Sequence, residues 1–70
     1  MDQLQIAINV AIMLRLVELN VPVSSLDQGD MILIKQTMMN EVKSGLSPDQ
    51  AIKKVLCLDS FGHLIMNLHM

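Results

Sequence analysis

Residues 2–20 read DQLQIAINVAIMLRLVELN, a run without glycine or proline in which Leu4, Ile6, Ile8, Val10, Ile12, Met13, Leu14, Leu16, Val17 and Leu19 predominate. Nothing in it breaks a helix. Its polar members, Gln5, Asn9, Arg15 and Glu18, do not gather on one side at 3.6 residues per turn. The predicted helix is therefore apolar nearly all round and needs cover on most of its faces. Two short neighbouring helices offer too little cover for that.

The remainder of the chain sharpens this mismatch. Seventy residues make one domain over 1–70, and a fold of this size hides only about 60% of the surface its unfolded chain exposes. Chains this short commonly rely on a disulfide, a metal or a partner subunit. Cys57 is the only cysteine, so no intrachain disulfide forms, and a reducing, cytoplasmic setting is expected. Cys57, His63 and His69 stand six residues apart each time, which puts them on different faces of a helix; neither a metal nor any other cofactor is expected. The remaining support is a second copy of the chain or a different protein.

Composition agrees with helices. The hydrophobic fraction is 51%, and Phe61 is the sole aromatic residue. Aliphatic density without rings suits interdigitating helices better than a β-sandwich. The net charge is −2, and Arg15, Lys35, Lys43, Lys53 and Lys54 are scattered apart from the last pair, so the electrostatic footprint for nucleic acid is very local. Asp2, Asn9, Arg15 and Glu18 argue against a signal peptide or a membrane span, with peripheral membrane association as the other reading of the greasy first helix.

Further along, Val21-Pro22-Val23 ends the first helix, and Ser24 or Ser25, with Asp27 or Gln28 three residues on, is read as the cap of the next. Met31, Ile34, Met38 and Val42 then form a stripe, with Thr37, Asn40, Glu41 and Ser44 outside it. Gly45 suits a left-handed helix end, and Ser47-Pro48-Asp49-Gln50 supplies an N-cap, a first-turn proline, an acid and a capping-box partner. In the third helix Ala51, Ile52, Val55, Leu56 and Leu58 share a face opposite Asp49, Gln50, Lys53 and Lys54. Beyond Leu58 the helical phase slips. A break at Asp59–Gly62 is expected, followed by a short helix over 61–68; the competing reading pairs Val55–Leu58 with His63–Asn67 as a hairpin around Asp-Ser-Phe-Gly.

The segment Leu56-Cys57-Leu58-Asp59-Ser60-Phe61, with Leu64 and Met66, resembles the Leu-Gly-x-Asp-Ser-Leu attachment motif of acyl and peptidyl carrier domains. The resemblance implies a phosphopantetheine arm on Ser60 at the start of a helix. It departs at Cys57, which stands where the family has glycine, and Asp59 and Ser60 are read instead as an ordinary helix cap. The turn around Gly45 suggests a helix-turn-helix over 38–58, but Asn40 and Ser44 fall where that motif buries apolar residues. Asp59 and His63, with Cys57 or Ser60 as a nucleophile, are the only letters that suggest catalysis, and too little chain surrounds them to build a deep pocket; no enzymatic activity is expected.

Seven methionines complete the picture, and Met38 and Met39 cannot both point inward from one helix. The expected fold is an all-α bundle of three to four helices, over about 2–20, 25–44, 48–58 and 61–68, completed by dimerisation. The expected function is a small regulator, adaptor or inhibitor acting through a self-associating helical surface. Ile8, Ile12 and Leu16 of the first helix and Met31, Met38 and Met39 of the second are the expected interface. The alternative is a dimeric, DNA-binding transcriptional regulator that presents the third helix.

Overall fold

The backbone breaks where its own side chains can satisfy it. The computed structural model describes residues 2–68; Met1, His69 and Met70 lie outside the described residues. Helix α1 spans Gln3–Glu18, opened by the Asp2 carboxylate, which accepts the Leu4 amide at 2.9 Å. At its far end Asn20 adopts φ 58°, a left-handed conformation that asparagine tolerates better than most residues. The Val21 amide then reaches back to the Leu16 carbonyl and the Asn20 amide to that of Val17, the pair of bonds that closes a helix in a Schellman motif.

Pro22 leads into a single 3-10 turn over Val23–Ser25. Helix α2 spans Gln28–Lys43, and its cap is Asp27, whose carboxylate accepts the Asp30 amide at 2.7 Å. This corrects the assignment to Ser24 or Ser25. The Ser25 hydroxyl donates to the Pro22 carbonyl within the turn, so it is occupied with its own loop. Helix α2 ends as α1 does, with Gly45 at φ 115° and the Leu46 amide bonded to the Glu41 carbonyl. Helix α3, Pro48–Val55, begins with the expected capping box between Ser47 and Gln50.

After Val55 the expectation of a helix to residue 58 fails, as does that of a fourth helix over 61–68. Strands β1, Leu56–Leu58, and β2, Leu64–Met66, form an antiparallel hairpin with Cys57 opposite Ile65. The hairpin alternative describes this region. Asp59 to Gly62 make a tight turn in which the Gly62 amide bonds the Asp59 carbonyl, and Gly62 takes φ 83°. The Asp59 amide then bonds the His63 carbonyl, so the turn closes through a left-handed glycine, the usual chemistry of a hairpin loop of this length.

Three carbonyls at the α3–β1 junction explain why the helix stops there. Asn67 donates its side-chain amide to Lys54 and its backbone amide to Val55, each at 2.8 Å. Arg15 of α1 donates Nε to the Leu56 carbonyl at 2.9 Å. Groups left orphaned at a helix end thus find distant partners.

The core joins Ile8, Ile12 and Leu16 of α1 to Ile34 and Met38 of α2 and Ala51, Ile52, Val55 and Leu56 of the C-terminal half. Thr37, expected outside the α2 stripe, is buried with them at 1% exposure. The radius of gyration is 11.4 Å, against about 11 Å for a compact chain of this length. One copy therefore closes its own core. Among the described residues no helix is long and apolar enough to cross a membrane.

Candidate protein interaction surface

Helix α1 is apolar on two sides, and only one of them is covered. Ile8, Ile12 and Leu16 recur every four residues, lie on the inner side and are at most 1% exposed. Ile6, Val10, Met13 and Val17 lie on the opposite side, with Leu14 beside them, and are 43–73% exposed. Between them run the polar borders. Arg15 pairs with Glu18 and also holds Leu56, while Gln5 donates to Asn9 one turn on.

This geometry redistributes the expected interface. Ile8, Ile12, Leu16 and Met38 are buried by residues of their own chain, so in this fold a partner on the surface meets other side chains. The reason is that a helix apolar all round satisfies the core with either side, and its own periodicity does not say which. Met31 and Met39 are partly buried and remain at the surface. Met31 lines a groove with Val23, Leu26 and Ile32, bordered by Asp27 and Lys35, and Met39 borders Ile32 and Lys35 a turn further along α2. A second, smaller groove between α1 and α2 brings Met13 to Met31. As the sequence requires, Met38 turns inward and Met39 does not.

The residues that sequence reasoning missed are the outer row of α1 and the aliphatic Ile32. Their only signal is spacing: Ile6, Val10, Met13 and Val17 step by four, three and four, as one face of a helix does. The inner row carries an equally regular signal, which is why the two were not distinguished.

The hairpin offers a smaller patch. Phe61 is 83% exposed at the turn, and Leu58, Ile65 and Met66 are partly exposed along the strands. Asp59 sets this tip: its Oδ1 accepts the amides of Phe61 and His63, each at 2.8 Å, and Oδ2 lies 3.2 Å from His63 Nδ1. The His63 amide foremost, with the Phe61 amide and the His63 ring adding to it, holds the Asp59 carboxyl below its ordinary range against the opposing effect of desolvation. The Asp59–His63 pair thus lies at the hairpin turn, where Asp59 holds the loop amides. Ser60 sits in a hairpin turn, which removes both the helix cap and the helical attachment site that the carrier-domain resemblance implies.

The third helix carries its cations next to acids. Lys53 Nζ is 3.3 Å from Asp49, and Lys54 Nζ is 3.1 Å from Glu41 of α2. Asn40 and Ser44 are exposed. Cys57 is partly buried, with its Sγ 3.7 Å from the Asn67 side-chain amide. Among the described residues no three His, Cys, Asp or Glu side chains are grouped to hold a metal ion. No protein-family model matches this chain, and no curated protein or solved structure is significantly similar to it.

Proposed function

We propose that the chain is a small, non-enzymatic protein–protein interaction module that works in the cytoplasm as a regulator, adaptor or inhibitor by occupying a partner's surface. One observation carries this reading: after the inner side of α1 has entered the core, its outer side still presents five adjacent aliphatic side chains to solvent. Contiguous apolar surface of that kind is uncommon on a monomer and marks a docking site. Ile32, Met31 and Met39 extend it across α2, and the adaptable methionine side chains fit themselves to an opposing surface.

The test compares wild-type protein and Val17→Glu as immobilised baits. Val17 is 73% exposed, so the variant keeps its helical circular dichroism. Proteins held by the wild type, further copies of the chain included, are lost from the variant. Equal capture by both baits would count against the reading.

The alternative is a DNA-binding dimer using the segment 38–58, favoured by the short Ser44–Ser47 connection around Gly45 between α2 and α3. Neutralisation of Lys53 and Lys54 by Asp49 and Glu41 weakens it, since phosphate binding rests on free cations. Association with duplex DNA that falls steeply with salt and disappears in Lys53→Ala/Lys54→Ala supports it.

A further inference from the structure

Building on the docking role above, we infer that the occupant of the outer side of α1 is a second copy of this chain, packed antiparallel along α1 about a two-fold axis between Val10 and Met13. Gln3, Ile6, Val10, Met13 and Val17 step by three, four, three and four residues, the alternation of a seam between two supercoiled helices. All five are exposed in the single copy. The surface is thus spaced to receive a helix.

Charge argues that the helix is its own. No Asp, Glu, Lys or Arg lies on the seam: Arg15 and Glu18 are beside it and paired with each other. A two-fold interface brings each residue of one copy to the same patch of the other, so like charges meet unless the patch has none. This patch has none, and an acidic or basic partner would find no opposite charge to recognise.

The direction follows from layer matching. Reflected about the point midway between residues 11 and 12, Ile6 meets Val17 and Val10 meets Met13. Each of these layers then sets a larger aliphatic side chain against valine. A parallel pair would stack Met13 on Met13 and Val10 on Val10, leaving layers of unequal width, and would align the two helix dipoles. Eight aliphatic side chains on the seam, with Leu14 of each copy flanking them, bring the interface to on the order of 1,000 Å², the lower bound for a specific contact.

The test uses the full chain. Light scattering and sedimentation velocity over a dilution series are expected to show a dimer for the wild type, and Met13→Glu is expected to weaken it on the order of a hundredfold with helical circular dichroism unchanged. Orientation is read in a Cys57→Ser background. Val10→Cys and Met13→Cys proteins each oxidise poorly alone, whereas an equimolar mixture forms the mixed disulfide rapidly. Rapid crosslinking of each variant with itself overturns the antiparallel arrangement. A wild type that remains monomeric to about 100 µM overturns the inference, as does Met13→Glu remaining a dimer. If the wild type is monomeric yet Val17→Glu still loses a captured protein, the occupant is a different protein and the docking role survives. If the monomer instead sediments with anionic vesicles and Met13→Glu does not, the face is a membrane contact and both readings fall.

Discussion

The two sides of α1 are built from the same kinds of residue and have opposite fates. Ile8, Ile12 and Leu16 are enclosed by α2, α3 and the start of the hairpin, while Ile6, Val10, Met13, Leu14 and Val17 face solvent. Side-chain chemistry therefore does not separate core from surface in this helix. Position relative to α2 and α3 does, and Arg15 shows how closely the border is drawn. Its guanidinium crosses to the Leu56 carbonyl and to Glu18, so a charged residue sits against the core side and leaves the outer row free of charge.

The largest break in this comparison comes from the inner side. Ile12→Ala deletes a side chain that is 1% exposed and is expected to cost about 2–5 kcal/mol of stability by chemical denaturation. If the midpoint is unchanged, the core has been misplaced. Next is the border. Arg15→Met keeps an unbranched apolar stem but leaves the Leu56 carbonyl without its donor, an expected loss of about 1–3 kcal/mol. Amide exchange at the α3–β1 junction should rise with it.

A smaller effect is read by pH. The folded-state pKa of Asp59 is depressed, so its contribution is present above the unfolded value of about 3.9 and is lost as pH falls through the lower folded value. Acid should release the hairpin tip, seen as loss of protection at the His63 amide, and Asp59→Asn should remove that pH dependence. The smallest effect is on the outer side. Val17→Ser, measured where the chain is monomeric, is expected to change stability by no more than about 0.5 kcal/mol, while lowering self-association. A change as large as that of Ile12→Ala would erase the distinction between the two sides.

Much of the fold was legible because helix ends are local. Asp2, Ser47 with Pro48 and Gln50, and Gly45 each act on amides or carbonyls within a few residues, so their letters suffice. The second helix start was misread by a few residues because three polar residues near Pro22 compete for one role, and Asp27 takes it. Of the residues expected at the interface, Met31 and Met39 stay at the surface, and the exposed outer row of α1 was not singled out. Two apolar rows of equal regularity give the same signal until a neighbour is placed beside one of them.

What the sequence alone determined is the mostly helical class, the presence of the first three helices and an excess of apolar side chains, since caps, φ preferences and periodicity operate within a turn or two of the chain. Tertiary structure decided the rest. The chain leaves α3 after Val55 because Asn67 and Arg15, distant in sequence, satisfy the carbonyls of Lys54, Val55 and Leu56. The side of α1 left facing solvent was likewise decided by where α2 and α3 pack, because burial depends on neighbours that no single helix can specify.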